Sequence, residues 1–125
     1  MKVKGKAVSG IGQSKEFLSI DWVNRQLCDK LAFLPYQGTF NIMLDSAETQ
    51  RILKEKGTDR LAHETEGFCD ALIFRGVING SCECGVVLPL VPNYDECLLE
   101  IVAPVNLKES LCVDDGDEVS LDLFI

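Results

Sequence analysis

A glycine-rich stretch near the start of the chain is the first candidate for a functional site. It runs from Gly10 to Lys15 and reads Gly-Ile-Gly-Gln-Ser-Lys. Small residues let backbone N–H groups approach a phosphate closely, and Lys15 adds a positive charge. A tight turn between two strands needs glycine equally. The stretch by itself therefore predicts either a phosphate-binding loop or a structural turn.

Two polar residues on one predicted strand form a second candidate site. Thr39 and Asn41 are two residues apart in the alternating segment from Thr39 to Leu44, so both side chains project from the same face. Neutral oxygens of this kind complete a Mg²⁺ shell whose other ligands are waters and phosphates. The alternative is an exposed polar face on a half-buried strand.

A single carboxylate, Glu100, interrupts the apolar segment from Cys97 to Val102. Alternation along this predicted strand places Leu98, Glu100 and Val102 on one side. If that side faces a pocket, Glu100 can accept a hydrogen bond from a substrate hydroxyl or act as a general base. If it faces water, Glu100 is a surface residue, and the pattern leaves both interpretations open.

Six cysteines raise the question of a metal site or of disulfides. No CxxC pair occurs, the closest spacing is Cys82-Glu83-Cys84, and the sole histidine is His63. A structural zinc site draws its ligands from such pairs, so we do not expect zinc. The N-terminal segment lacks the apolar core of a signal peptide, and we expect reduced thiols that pack as small apolar residues.

Length and composition favour one globular domain over residues 1–125. A chain of 125 residues with 46% hydrophobic and 26% charged residues is typical of a single packed core. The net charge of −8 argues against a nucleic-acid partner, which needs a basic surface. No apolar run approaches the roughly 20 residues that span a bilayer. We therefore expect a cytoplasmic monomer with small-molecule partners and no membrane association.

The charge is unevenly distributed along the chain. The first 15 residues carry four lysines and no acidic residue. A locally basic segment on an acidic protein suits a small anionic ligand. A lysine-bearing edge strand, protected by its charges from pairing with other chains, explains the same pattern.

Strand-like segments dominate the rest of the sequence. The dipeptide Asn79-Gly80 between two of them predicts a type I′ hairpin. The predicted strands cover Lys2–Ser9, Glu16–Ile20, Thr39–Leu44, Cys69–Ile78, Ser81–Leu88, Cys97–Val102 and an alternating last segment from Val119 to Ile125.

Two helices are predicted from their starting residues. Asp21 is a good N-cap for a helix over Trp22 to Leu31. The spacing Asp45-x-x-Glu48 fits a capping box, which opens a second helix that Gly57 closes.

The other segments are predicted to be short or irregular. We expect a helical turn near residues 107–111, a polar loop over residues 58–67 and a tight acidic turn at residues 114–117. Strands that are not separated by regular helices favour a mostly antiparallel barrel. A strand is predicted directly after the glycine-rich stretch, which argues against a dinucleotide-binding turn because that motif opens a helix.

Taken together, four segments resemble the archaeal CTP-dependent riboflavin kinase family, and the match extends in order over nearly the whole chain. The resemblance implies a six-stranded cradle-loop (RIFT-like) β-barrel with two or three short helices. It also implies transfer of the γ-phosphate of CTP to the 5′-hydroxyl of riboflavin, giving FMN and CDP, with Mg²⁺ as cofactor. The matching segments are VSGIGQSKEFLSI (Val8 to Ile20), LAFLPYQGTFNIML (Leu31 to Leu44), LEIVAPVNLKESL (Leu99 to Leu111) and DDGDEVSLDL near the end.

The resemblance further implies which residues would form the site. Mg²⁺ would be held by Thr39 and Asn41. Glu100 would be the catalytic residue, lying against the ribityl chain of the flavin, and Tyr94 would also contact the flavin. The nucleotide would be contacted by Gly10, Ile11, Gly12, Gln13, Ser14 and Lys15 on one side and by Val105, Asn106, Leu107 and Lys108 on the other.

Two departures from the family pattern support other interpretations. The family usually has a third glycine at the position of Ser14, and a threonine that contacts the flavin at the position of Pro92. A noncatalytic flavin- or nucleotide-binding regulatory barrel is the main alternative, and a purely structural barrel is the third.

Overall fold

Seven strands and four helices make up the described part of the chain. The computed structural model describes residues 1–9 and 14–125, so that Gly10 to Gln13 and the side chains of Ser14 and Lys15 lie outside it. The strands are β1 (Lys2–Val8), β2 (Phe40–Leu44), β3 (Asp59–Leu61), β4 (Ala71–Ile78), β5 (Cys82–Pro89), β6 (Leu98–Val102) and β7 (Glu118–Leu123). The helices are α1 (Ser14–Ser19), α2 (Asp21–Leu31), α3 (Glu48–Lys56) and α4 (Leu107–Ser110).

Six of these strands close into an antiparallel barrel. Their order around it is β4-β5-β6-β2-β1-β7, and β7 pairs with β4 to complete the circle. The short strand β3 is added along the outer side of β4. The predicted barrel is therefore confirmed, with one outer strand and with four helices in the described part where two or three were expected.

The first strand lies inside the sheet and not at an edge. Its lysines alternate with buried residues such as Val3 and Ala7, and it pairs with β2 on one side and β7 on the other. The interpretation of an edge strand protected by lysines is therefore wrong. Lys2, Lys4 and Lys6 are exposed on the outside of the barrel.

The hairpin between β4 and β5 is confirmed. Asn79 and Gly80 both have positive φ angles, 50° and 67°, as a type I′ turn requires. Eight residue pairs follow in continuous antiparallel register, from Ile78 opposite Cys82 to Ala71 opposite Pro89. This hairpin is the longest pairing of the barrel.

The barrel interior holds the larger of two apolar clusters. On β2, Ile42 and Leu44 face this interior and Phe40 packs against it, which confirms the predicted alternation. Val119 and Leu121 do the same from the last strand. Burying each large aliphatic side chain contributes about 1.5–3 kcal/mol.

The second cluster lies between helix α2 and the outer face of the barrel. Leu27 and Leu31 of α2 pack there with Ile73 and Val87 of the sheet. The helix approaches β5 closely because Gly85 has no side chain: a Cβ atom at that position would lie 2.6 Å from the Leu31 methyl groups. One outer face of the sheet is thereby covered.

The predicted strand over Glu16–Ile20 is wrong, because α1 occupies most of it. A short apolar run fits a helix as well as a strand by periodicity alone. Leu18 is buried in the cluster beneath α2, so tertiary packing decides the conformation. A helix therefore begins within the glycine-rich stretch, at Ser14, and the predicted strand is no argument against a dinucleotide-binding turn. The antiparallel pairing of β1 with both neighbours still distinguishes this fold from a βαβ unit.

The two helices predicted from their caps are confirmed, but the caps differ. Helix α2 begins at Asp21 itself, and its N-cap is Ile20, which makes no side-chain cap. Helix α3 ends before Gly57 as predicted, but Ala47 is its N-cap and the capping box is absent there. The Ser46 hydroxyl accepts the Glu48 N–H instead, at 3.1 Å.

The polar segment over residues 58–67 is not entirely loop. It contains β3, whose Leu61 is fully buried in the outer cluster. One leucine among charged residues gives no alternating signal, so the sequence pattern did not reveal the strand. Within the described residues, no helix has the length and apolarity needed to cross a membrane.

Candidate functional site

Asn41 and Glu100 lie directly opposite each other on neighbouring strands. The antiparallel register of β2 and β6 pairs these two residues, between the pairs formed by Phe40 with Ile101 and Ile42 with Leu99. Because the flanking pairs contribute to the barrel interior, Asn41 and Glu100 project from the opposite, outer face. The next residue across the sheet is Val87, which belongs to the outer cluster.

Asn41 is not part of an exposed polar strand face. Its side chain is only 6% exposed, and its Oδ1 atom accepts a hydrogen bond from Thr39 Oγ1 at 3.1 Å. Two adjacent ligands of an octahedral Mg²⁺ ion at 2.0–2.1 Å lie about 2.9 Å apart. The donor set and the spacing of Thr39 and Asn41 therefore fit a magnesium ion that takes its other ligands from waters and phosphates.

A cleft of about 360 Å³ lies beside Asn41, and we call it the polar cleft because its lining is more polar than that of the second cleft described below. Asn106, at the start of α4, lines it and caps that helix, since its Oδ1 accepts the Glu109 N–H at 3.3 Å. All four residues of the second predicted nucleotide segment line this cleft. Its lining comprises Val8, Ser9, Tyr36, Gly38, Thr39, Phe40, Asn41, Ile101, Ala103, Val105, Asn106, Leu107, Lys108, Glu109 and Asp115.

A network of charged and polar groups lies at one side of the polar cleft. Lys108 Nζ is 3.3 Å from Asp115 Oδ1, and the Ser9 hydroxyl donates to the other oxygen of the same carboxylate. The hydrogen bond from Ser9, followed by that from Lys108, lowers the pKa of Asp115. Ser9 directly precedes the glycine-rich stretch. Gly10, Ile11, Gly12 and Gln13, together with the side chains of Ser14 and Lys15, lie outside the described residues, so their predicted role stays a prediction.

An apolar cleft of about 290 Å³ adjoins the polar one. Thr39 lines both clefts, and Glu100 is the only acidic residue among the described residues that line the apolar cleft. Its lining comprises Phe17, Leu18, Thr39, Gly67, Phe68, Cys69, Ala71, Val87, Pro89, Val91, Glu100 and Val102.

A strap over residues 62–70, between β3 and β4, forms one wall of the apolar cleft. Its Phe68 ring packs edge-on against Trp22 of α2 at 5.6 Å between ring centres. Trp22 Nε1 also donates to Thr65 Oγ1 at 3.0 Å, and the Gln26 side chain bonds both backbone groups of Ala62 at 2.8 Å. Helix α2 therefore holds the strap in place.

Glu100 is partly buried and hydrogen-bonded. Tyr94, in the loop between β5 and β6, donates its phenolic hydrogen to Glu100 Oε2 at 2.6 Å. Burial raises the pKa of Glu100, while the hydrogen bond from Tyr94 opposes that rise. Burial and the adjacent carboxylate raise the pKa of Tyr94, which keeps this hydroxyl protonated as a donor. Glu100 therefore faces a pocket, which answers the question that its position in the strand left open.

Several residues at the two clefts were not anticipated from the sequence. Tyr36 lines the polar cleft, where its hydroxyl accepts a hydrogen bond from Asn106 Nδ2 at 3.3 Å. Phe17 and Phe68 line the apolar cleft with their ring centres 6.3 Å apart. The only sequence signal near Tyr36 is the turn glycine two residues later, Gly38, whereas Phe68 lies in a segment without any recognisable pattern.

Neither the cysteines nor the acidic turn form a metal site in the described part. All six cysteines fall within it as free thiols, and burial raises the pKa of Cys84 to about 12. No group of three or more His, Cys, Asp or Glu side chains is positioned there to hold a metal ion. The predicted turn is present, with the Asp114 N–H donating to Asp117 Oδ2 at 2.8 Å.

The described residues form a closed antiparallel barrel with two adjoining clefts, one polar and one apolar, that share Thr39. A family model named CTP-dep_RFKase, described as a domain of unknown function (DUF120), matches residues 7–123. The chain therefore belongs to the CTP-dependent riboflavin kinase family.

Archaeal riboflavin kinases are similar to this chain over most of its length. The chain is 34% identical over 129 residues to the riboflavin kinase of Ignicoccus hospitalis, and the match covers 99% of this chain and 72% of the relative. The chain is 35% identical over 115 residues to the riboflavin kinase of Methanothermobacter thermautotrophicus, and the match covers 92% of this chain and 93% of the relative. It is 31% identical over 130 residues to that of Archaeoglobus fulgidus, covering 100% of this chain but 55% of the relative.

Proposed function

We propose that this protein transfers the γ-phosphate of CTP to the 5′-hydroxyl of riboflavin, forming FMN and CDP. The observation that carries the proposal is the position of Thr39, which lines both the polar and the apolar cleft. Two ligands of different chemistry, one in each cleft, would meet at this residue. Membership of the riboflavin kinase family supports the assignment of a flavin and a nucleotide to the two clefts.

The nucleotide is assigned to the polar cleft. Val105 and Leu107 offer apolar contacts, Asn106 offers an amide, and Lys108 supplies a positive charge to the phosphates. The glycine-rich stretch directly follows Ser9, which lines this cleft, and we expect its backbone N–H groups to contact the phosphates.

Thr39 and Asn41 are the proposed holders of Mg²⁺, on the donor set and spacing described above. When bound, the ion would neutralise charge on the transferring phosphates. Asn41 is fixed by burial and by the hydrogen bond from Thr39, so these oxygens need little rearrangement to bind. The protein also positions the two substrates, and positioning together with charge neutralisation supplies most of the catalysis in phosphoryl transfer.

The flavin is assigned to the apolar cleft. Phe17, Phe68 and Val91 offer apolar surface to a planar ring, and Glu100 lines the same cleft together with Thr39. A carboxylate with a raised pKa is a stronger base than an exposed one, so Glu100 would accept the proton of the 5′-hydroxyl as that oxygen attacks.

The test is to incubate the protein with riboflavin, Mg²⁺ and each nucleoside triphosphate in turn and to measure FMN. We expect FMN with CTP and little with ATP, and a loss of about 100-fold in Glu100→Gln. Glu96→Gln, at an exposed loop position, is the matched control and should retain full activity. The absence of FMN with every nucleotide would refute the proposal. Tight binding of FMN or CDP without turnover would instead identify a regulatory barrel.

A further inference from the structure

The resemblance to the riboflavin kinase family predicts that Tyr94 contacts the flavin, and the position of this residue also allows it to act through Glu100. It does not line either cleft among the described residues, whereas Glu100 lines the apolar one. Tyr94 lies in the loop between β5 and β6 and packs against the barrel cluster. Its hydroxyl reaches the carboxylate six residues further along the chain.

The bond between the two residues fixes the carboxylate. A separation of 2.6 Å is in the range of a strong charge-assisted O–H···O⁻ bond. Such a bond holds Oε2 of Glu100 and leaves Oε1 with its full capacity to accept another hydrogen. A glutamate without such a partner rotates about three side-chain bonds and samples several orientations. The loop therefore limits the number of orientations that the carboxylate adopts.

The position of Glu100 makes this orientation important. The residue lies in one row across the outer face of the sheet, between Asn41 and Val87. Rotation toward Val87 would direct the carboxylate at apolar surface, and rotation the other way would direct it at the amide of Asn41. A base must point at the hydrogen that it accepts, at hydrogen-bonding distance from the donor oxygen.

We propose that Tyr94 is a positioning residue that acts through Glu100: it holds one carboxylate oxygen so that the other faces the hydroxyl of a bound substrate. This inference rests on the proposed function, since it assigns to Glu100 the role described above. It differs from a direct flavin contact, because Tyr94 then affects the substrate only through the carboxylate.

A double-mutant cycle separates these two roles. We expect Tyr94→Phe to lower kcat about tenfold with KM for riboflavin changed less than twofold. Glu100→Gln should lower kcat about 100-fold. The double variant should then resemble Glu100→Gln within about twofold, since Tyr94 has no carboxylate left to orient. Multiplied losses of about 1000-fold, or a raised KM with unchanged kcat, would overturn the proposal.

Tyr36→Phe is the matched control, since it also removes one phenolic hydroxyl. Tyr36 bonds Asn106 and does not touch Glu100, so its effect should multiply with that of Glu100→Gln. Riboflavin binding, followed by quenching of flavin fluorescence, provides a readout that needs no turnover. If wild-type protein binds riboflavin but makes no FMN, the proposed function fails. A crystal structure of Tyr94→Phe would still test the role of Tyr94: several orientations of the Glu100 carboxylate would support it, and the single wild-type orientation would refute it.

Discussion

Asn41 and Glu100 are cross-strand partners that line different clefts, the first the polar cleft and the second the apolar cleft. Paired positions in an antiparallel sheet bring two Cβ atoms to about 4.5–5.5 Å. A residue assigned to the metal and nucleotide is thereby adjacent to a residue assigned to the flavin. Because the two residues lie on paired strands, the sheet fixes the distance between the proposed metal site and the proposed flavin site.

Asn41 provides the first test of the site. Asn41→Ala removes one of the two proposed metal-binding oxygens, and we expect FMN formation to fall at least 100-fold. The assay is FMN formation at several Mg²⁺ concentrations, together with circular dichroism to confirm folding. Met43→Leu, on the same face of β2 and away from both clefts, is the control and should retain activity. Full activity in Asn41→Ala would contradict the assignment.

Lys108 provides a test of the polar cleft. Lys108→Gln removes a positive charge from the proposed phosphate site, and we expect CDP to bind about tenfold more weakly, equal to about 1.4 kcal/mol. Lys108→Arg keeps the charge and should lose less. Calorimetric titration with CDP and Mg²⁺ measures both values. Lys54→Gln on α3 changes the net charge equally without touching the cleft, and an equal loss there would show that only net charge matters.

The strap contains a carboxylate whose ionisation should affect stability. The His63 backbone N–H, at 2.9 Å, and then its ring nitrogen, at 2.6 Å, lower the pKa of Asp70. A lowered pKa contributes stability above the unfolded value of about 3.9, and that contribution is lost as the pH falls through the folded value. Wild-type protein should therefore be more stable than Asp70→Asn at pH 7, with a smaller difference at pH 3.

Urea denaturation at the two pH values measures this difference in the free energy of unfolding. Asp29→Asn, which removes one negative charge from an exposed position of α2, is the control for the change in net charge. A difference between wild type and Asp70→Asn that is the same at pH 7 and pH 3 would contradict the prediction.

The contact between α2 and the barrel is tested at Gly85. In Gly85→Ala the new methyl group would lie 2.6 Å from the methyl groups of Leu31, which is buried. We expect a loss of about 1–3 kcal/mol in the free energy of unfolding. Leu31→Ala alone should cost about 2–5 kcal/mol.

The double variant shows whether these two effects share one cause. With Leu31 truncated, the methyl at position 85 occupies part of the vacated space, so the double variant should lose at least 1 kcal/mol less than the sum of the single losses. Urea denaturation measures all three variants. If the losses in the free energy of unfolding simply add, Leu31 does not limit the size of the side chain at position 85.

Much of the barrel could be predicted because its strands carry local signals. Asn79-Gly80 specifies a turn type, and the alternation of Val119 with Leu121 specifies a face. Helix α1 could not be predicted in this way, since six residues with adjacent Phe17 and Leu18 carry no clear period. Its conformation depends on burying Leu18 against residues that are distant in sequence.

The candidate site was predictable where strand geometry determines it. Thr39 and Asn41 share a face by their spacing, and the structure brings them within hydrogen-bonding distance. The pairing of Asn41 with Glu100 depends on strand register between segments almost 60 residues apart, which no local pattern encodes. The role of Phe68 depends on how a polar strap folds back onto α2.

The central claim is that two substrates occupy adjoining clefts that meet at Thr39. A crystal structure of the protein with CDP, Mg²⁺ and FMN tests it most directly. We predict CDP in the polar cleft against Lys108, the flavin ring in the apolar cleft against Phe68, and the FMN phosphate next to Thr39. Either ligand bound in the other cleft, or a flavin phosphate remote from Thr39, would contradict the account.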